Sequence, residues 1–382
     1  MEMGTGKTKV ALDLIASKQH KVDYVLWICP CSLKSEIEAE RKKWHADLKL
    51  DIVGCESIGS SDRIYLETLR KVACRKAFIV VDESLKIKNR EAKRTSRILK
   101  LGEAAEYKLM LNGTPLSKNV LDLWSQMQFL SPKILQMSYN QFKDTYCEYY
   151  IRGRLKGLVK KQHNVEHLIS KIEPYIFDAA LELGKRKNYY DYTYRIDNKE
   201  EYDELKLSYL QAPIFDFMAI SQVLQQYYCK STEKAEIIKN LINGINEQVI
   251  VFVKYLSSIP KGAAALIGDM NEREREAVIN GFRAGKIKVL YVTYGCGAFG
   301  LNLQCCKYMI FADHTFDYAQ RIQAEARIFR LGQADDVHYY SLWCNCGLER
   351  LIKGSLDKKT NLLNEVKKEI NKKGEEEWLK SL

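Results

Sequence analysis

No two cysteines stand at the C-x-x-C spacing of a zinc-ligand pair, although the chain has eleven, including Cys29 with Cys31, Cys305 with Cys306 and Cys344 with Cys346. The number is odd and several lie in apolar, strand-like runs, which points to reduced core thiols rather than a disulfide framework or a metal site. No apolar run approaches the ~20 residues needed to span a bilayer. The first residues also lack the pattern of a secretory signal, so a soluble cytoplasmic protein with no membrane partner is expected. Acidic residues are in deficit, 49 against 60 lysines and arginines, leaving a formal charge of +11. A surplus of that sign suits a polyanionic partner without identifying one. At 382 residues, 46% hydrophobic and 29% charged, the chain is neither disordered nor fibrous, and it is long enough for two domains or more.

The opening stretch, MEMGTGKT, satisfies the end of the phosphate-loop pattern G-x-x-x-x-G-K-[ST], in which glycines let backbone N–H groups close on phosphates. Gly4, Thr5, Gly6, Lys7 and Thr8 fill the binding positions, with Lys7 for the β and γ phosphates and the Thr8 hydroxyl for Mg²⁺. Met1 stands where the first glycine belongs, so a small-residue turn capping a helix over 9–17 is the plainer alternative. An apolar strand at 77–81 delivers Asp82 and Glu83 at its carboxyl end, where ligands gather in parallel α/β sheets. Asp82 would hold Mg²⁺ and Glu83 would orient the attacking water. Asp-Glu pairs also end many ordinary strands.

Alternating runs predict strands at 24–29, 77–81 and 107–111 with helices between them, then a largely helical stretch over 116–176. Within it IRGRLKGLVKKQH, residues 151–163, holds five basic residues and no acidic one. A tyrosine-rich strand at 189–196, with Tyr189, Tyr190, Tyr192 and Tyr194, reads as strand packing rather than a base-stacking platform. The rhythm then resumes with strands at 249–253, 263–267, 287–292, 308–311 and 337–342 and helices at 272–282 and 316–329. The final residues read as a solvated lysine-rich helix.

Seven segments in order resemble the superfamily 2 helicases, in the Snf-type branch of DNA translocases. MGTGKT resembles motif I, LWICPCSLKSEIEAERKKW motif Ia, VVDESLKIKN the DEAH-box motif II, and LNGTPLSKNVLDLWSQMQFL motif III. VIVFVKYL resembles motif IV, TYGCGAFGLNLQ motif V and RIQAEARIFRLGQ motif VI. The resemblance implies an α/β fold of two RecA-like P-loop lobes with a helical insertion. Its expected divisions are a first lobe at 1–135, a basic insertion at 136–185, a second lobe at 186–355 and a helical tail at 356–382. It implies ATP and Mg²⁺ as cofactors and nucleic acid, most plausibly double-stranded DNA, as partner. Arg330 matches the family's arginine finger, Arg327 its phosphate-sensing neighbour, and Gln323 and Gly300 its nucleotide-facing positions. A guanidinium fork meets phosphoryl oxygens in a geometry lysine cannot reproduce. Without the family these arginines would read as surface charge. Ser32, Lys34, Thr114, Thr293 and Asn302 are the implied nucleic-acid contacts. Arg152, Arg154 and Lys156, with Lys160 and Lys161, are a second candidate set, a solvated hairpin being the alternative.

Two departures stand out. The family's RRxK signature before the second lobe is replaced by YIFDAALELGKRK, and the chain begins inside motif I, without the strand and adenine-reading glutamine motif that usually precede it. The sheet is therefore expected to have a gap beside the strand bearing Asp82, and the chain alone is expected to bind ATP poorly. A phage or bacterial translocase with an internal start is the expected identity. The alternative is a nucleic-acid-binding fragment or subunit with little ATPase.

Overall fold

The computed structural model describes residues 1, 4–113, 120–149, 159–210, 217–297 and 302–357. The polypeptide forms two compact units, residues 1–181 and 182–382.

In the first unit the glycine-rich start leads into α1 (Lys7–Lys18), and the run YVLWIC becomes β1 (Tyr24–Cys29), buried at every position. There follow α2 (Lys34–Trp44), β2 (Asp51–Gly54), α3 (Cys55–Ser60), α4 (Asp62–Ala73), β3 (Ala77–Asp82), α5 (Lys93–Glu103) and β4 (Tyr107–Leu111). The four strands form a parallel sheet in the order β2-β1-β3-β4. Parallel strands are joined by crossovers that cover the sheet, so central strands are apolar on both sides. Leu26, Ile28, Ile79 and Val81 pack with Ile98, Leu101 and Phe129. Val25, Trp27, Cys29, Val80 and Asp82 alternate to the opposite side and are buried as well. A Cβ at Gly102 would lie 2.7 Å from the Phe129 ring, so this close approach to α5 requires glycine.

The expected gap beside the Asp82 strand is absent, because β3 pairs with β1 on one side and β4 on the other. Among the described residues the open edges of this sheet belong to β2 and β4. Six successive buried residues in β3 are what a strand flanked on both sides requires.

The stretch expected to be helical over 116–176 contains α6 (Leu121–Leu130), α7 (Pro132–Leu135), α8 (Tyr139–Tyr146) and α9 (Val165–Ile172). An antiparallel pair, β5 (Cys147–Tyr149) with β6 (Val159–Gln162), interrupts it. Its arms hold too few residues, and too many polar ones, to show a period of two. Phe142, Tyr146, Leu168 and Ile172 share a core with Val120, Leu123 and Met127, so this region is built onto the first unit through α6.

The second unit comprises β7 (Lys187–Tyr194), α10 (Lys199–Leu210), α11 (Phe217–Tyr228), α12 (Thr232–Gly244), β8 (Val249–Val253), β9 (Ala265–Leu266), α13 (Glu272–Arg283), β10 (Val289–Thr293), α14 (Tyr294–Gly297), β11 (Tyr308–Phe311), α15 (Tyr318–Glu325), β12 (Val337–Cys344) and α16 (Gly347–Asp357). Its strands form one parallel sheet, β7-β12-β11-β8-β10-β9. Asn271 and Glu274 close a reciprocal capping box at the start of α13. Leu224, Tyr228, Ile238, Val251, Ile310, Leu342 and Ile352 meet in the core.

The expected helix at 316–329 is shorter, ending at Glu325 and continuing as turns. All eleven cysteines are free thiols, with Cys31, Cys74 and Cys305 exposed. No helix among the described residues is long and apolar enough to cross a membrane.

Candidate functional site

Gly4 and Gly6 adopt φ of 81° and 82°, a left-handed backbone that costs glycine little and other residues more. This curl turns the chain into α1 with Gly6 at its N-cap, so no side chain caps the first turn. Lys7 and Thr8 are the first two residues of that helix, whose amino end carries the positive pole of its dipole and has no acidic residue in its first turn. Such an end is suited to an anion.

At the carboxyl end of β3, Asp82 is buried and Glu83 turns the chain with φ 50° and ψ 57°. The Glu83 N–H donates to Asp82 Oδ1 at 2.9 Å, and the Glu83 carbonyl accepts from the Lys86 N–H at 2.9 Å. Burial, then the neighbouring Glu83 charge, push the Asp82 carboxyl up to about 7. The Glu83 N–H, the Lys7 ammonium and the Trp27 indole oppose that rise. The Lys7 ammonium is close enough to act on the Asp82 charge, which brings the start of α1 to the carboxyl end of β3. A buried carboxylate and a helix-end hydroxyl are hard oxygen donors of the kind Mg²⁺ takes. Among the described residues no three His, Cys, Asp or Glu side chains gather as a metal cage. Thr8 and Asp82 thus fit a cation completed by phosphate and water rather than by protein alone.

Behind Glu83, the Ser84 hydroxyl donates to Gln126 Oε1 at 2.6 Å and accepts from Asn112 Nδ2 at 3.2 Å. The turn after β3 is thereby tied to the end of β4 and to α6. Sequence reasoning did not single out Ser84, because a serine among Asp82, Glu83 and Lys86 carries no signal of its own.

In the second unit Gln323 lies on α15, with its Oε1 buried and without a hydrogen-bond partner. Arg327 is buried and donates from Nε to the Gln323 carbonyl at 3.0 Å, while Arg330 is half-buried in the turns beyond. Gln333 holds those turns by donating to the carbonyls of Cys306 and Ile328 at 3.1 and 3.0 Å. Arg321, which sequence reasoning did not single out, anchors α15. Its Nε donates to Glu325 at 2.8 Å, another nitrogen to Ser341 Oγ at 3.1 Å, and its guanidinium lies 3.4 Å from the Phe311 ring centre.

The expected nucleic-acid contacts divide between the units. Ser32 is exposed in the turn after β1, and Lys34 opens α2. In the second unit Thr293 ends β10 and donates to the Leu266 carbonyl at 3.4 Å. Asn302 has a buried Oδ1 without a partner, and its carbonyl accepts from Arg283 at 3.1 Å. Thr114, Arg152, Arg154, Lys156 and Gly300 lie outside the described residues, as does the Lys160 side chain. Tyr190 stacks on Tyr340 at 4.9 Å and on His338 at 5.9 Å, and Tyr308 on His338 at 5.1 Å, so these rings spend their faces on one another.

Comparison with known proteins matches residues 1–249 to the SNF2-related domain and residues 233–332 to the helicase conserved C-terminal domain. The chain is 26% identical to the uncharacterized ATP-dependent helicase YqhH of Bacillus subtilis, covering 97% of this chain and 76% of that protein. It is 22% identical to the DNA annealing helicase and endonuclease ZRANB3 of Bos taurus, over 94% of this chain but only 38% of that one. Among solved structures, Dbp5 of Saccharomyces cerevisiae, bound to RNA and ADP BeF3, is similar with TM-score 0.54 at 13% identity, covering 94% of this chain and 81% of Dbp5. That likeness shows the α/β fold of parallel sheets flanked by helices.

Proposed function

Since the chain belongs to the SNF2-related helicase family, matched over residues 1–249, we propose that it is a nucleic-acid-dependent ATPase that translocates on double-stranded DNA. The observation that carries this reading is the meeting of Lys7, Asp82 and Glu83 at one end of the first sheet. The surplus of basic residues, +11 overall, and a DNA-acting relative support DNA as the track.

The backbone of residues 4–8 at the start of α1 would receive the ATP phosphates, with the Lys7 ammonium neutralising their charge. Thr8 and Asp82 would hold Mg²⁺, which when bound would add to the neutralisation of the phosphoryl oxygens. Glu83 orients the attacking water and takes its proton. The family resemblance assigns Arg330 the guanidinium for charge on the transferred phosphate, and Arg327 and Gln323 the nucleotide-facing positions. The lobes are residues 1–135 and 186–355, with the insertion at 136–185 between them and the tail at 356–382. Ser32, Lys34, Thr114, Thr293 and Asn302, together with Arg152, Arg154 and Lys156, follow the phosphate backbone and carry little sequence information.

Steady-state ATPase measured without nucleic acid, and with single strands, duplex DNA and RNA, tests the reading. Duplex DNA is expected to stimulate most, and Glu83→Gln to retain ATP binding while losing at least ~100-fold in turnover. A chain that binds DNA yet hydrolyses ATP under none of these conditions is a binding module instead. Turnover by Glu83→Gln at the parent rate removes Glu83 from its role.

A further inference from the structure

Trp27 is the largest side chain of β1 and has no solvent exposure. It is in register with Val80 of β3, and side chains alternate along a strand, so Trp27 and Asp82 share a side of the sheet two positions apart. Diagonal neighbours at that separation, ~7–8 Å between backbones, are within reach of an aromatic side chain. The indole Nε1 is buried without a hydrogen-bond partner. A buried donor left unmade is destabilising, and phenylalanine or leucine would fill a core position without it. As an acceptor on that side of the sheet, the register offers the Asp82 carboxylate. One oxygen of that carboxylate already receives the Glu83 N–H.

We infer that Trp27 is a positioning residue for Asp82: its indole N–H, aimed at the carboxylate from within the sheet, fixes the orientation in which Asp82 meets the cation bound with nucleotide. This rests on the ATPase reading for what the cation does, but not for the contact itself. With the Glu83 N–H on the carboxylate from the strand end, a second donor from the neighbouring strand leaves it one orientation instead of a swivel about its side-chain bonds. Groups that orient a metal ligand through a hydrogen bond are worth 10- to 100-fold in metal affinity when removed.

Trp27→Phe keeps an aromatic ring in the core and deletes the donor together with the five-membered ring that carries it. Mn²⁺ binding to the protein–ATP complex, read from the free-ion electron paramagnetic resonance signal, is expected to weaken about 10- to 100-fold in this variant. Nucleotide binding in EDTA is expected to stay at the parent value. Unchanged Mn²⁺ affinity overturns the inference, as does an equal loss of nucleotide binding without metal, which is the mark of a merely structural role. A second measurement needs no Trp27 variant. In protein labelled with ¹⁵N-tryptophan, one of the five indole N–H signals is expected to shift in Asp82→Ala. Five unmoved signals overturn the contact. If the parent has no ATPase but an indole signal answers to Asp82→Ala, the functional reading falls and the contact stands.

Discussion

Lys234→Met is the sharpest test of what holds the second unit together. Lys234 on α12 pairs with Asp313, just beyond β11, and their side chains are 3% and 0% exposed. The ammonium also donates to the Cys229 carbonyl at 3.0 Å, and Asp313 Oδ2 accepts the N–H groups of Lys254 and Tyr255 at 2.8 and 3.3 Å. Burial raises the Asp313 carboxyl, but Lys234 outweighs it and the group titrates below its ordinary range. Burial likewise works against the Lys234 charge, and Asp313 outweighs it, so the ammonium titrates above its ordinary range. The pair's contribution is therefore fully present between the ordinary carboxylate and lysine values. It is lost as pH falls through the depressed Asp313 value or rises through the raised Lys234 value. Removing Lys234 strands a buried carboxylate, which costs about 3–5 kcal/mol, a large part of the ~5–15 kcal/mol that holds a domain folded. Urea unfolding followed by tryptophan emission reads it out, because Trp343 stacks on His314 at 3.6 Å, next to Asp313. The penalty is expected to shrink toward pH 5, where the stranded carboxyl takes up a proton, and Asp313→Asn is expected to recover part of it in the double variant. A penalty below about 1 kcal/mol at pH 7.5, or one that is constant from pH 5 to 8, refutes the reasoning.

Glu349 is buried, with Oε1 accepting from Tyr228 at 3.0 Å and Oε2 without a partner. Burial first, then Cys346, push it up to about 8 from an ordinary 4.5. The folded state thus keeps a proton that the unfolded chain has lost, and stability falls as pH rises through that window. Glu349→Gln is expected to match the parent's melting temperature near pH 5 and exceed it by several °C near pH 9; equal melting at both pH values counts against a protonated Glu349. DNA binding is expected to weaken steeply with salt, and neutralising Arg152, Arg154, Lys156, Lys160 and Lys161 together to reduce that slope, since each neutralised phosphate releases counterions. An unchanged slope returns the segment to a solvated hairpin.

Strands that are apolar at all or nearly all positions were legible at their true bounds: Tyr24–Cys29, Tyr107–Leu111, interrupted only by Lys108, and Tyr308–Phe311 need no neighbour to be recognised. The neighbours themselves were not legible. Pairing of β3 on both flanks depends on the paths of crossovers, and β5 and β6 are stabilised by each other across nine residues of chain rather than by a local pattern. Lys7, Asp82 and Glu83 could be named because phosphate chemistry dictates residue types at fixed offsets. Trp27 could not, since its significance lies in a register between strands. Lys234 and Asp313 are 79 positions apart, and a buried lysine looks like any other until its partner is seen. The stop of α15 at Glu325 was hidden for a related reason, as Arg321 binds that glutamate and Tyr339 donates to its carbonyl at 2.9 Å.

The left-handed turn at Glu83 bears on how such a chain drifts under selection. A side chain other than glycine in that conformation costs roughly 1–2 kcal/mol, and Glu83 is one of three described residues besides glycine that adopt it, with Gln136 and Asn164. Glycine would sit there without strain and asparagine with less. A population screened only for resistance to heat is therefore drawn toward replacing Glu83, and every step in that direction discards the carboxylate. A population screened for turnover must keep the strained residue and find its stability elsewhere. In descendants of this sequence that no longer hydrolyse nucleotide, position 83 is accordingly where glycine or asparagine should accumulate early, ahead of change in the buried strand that leads up to it.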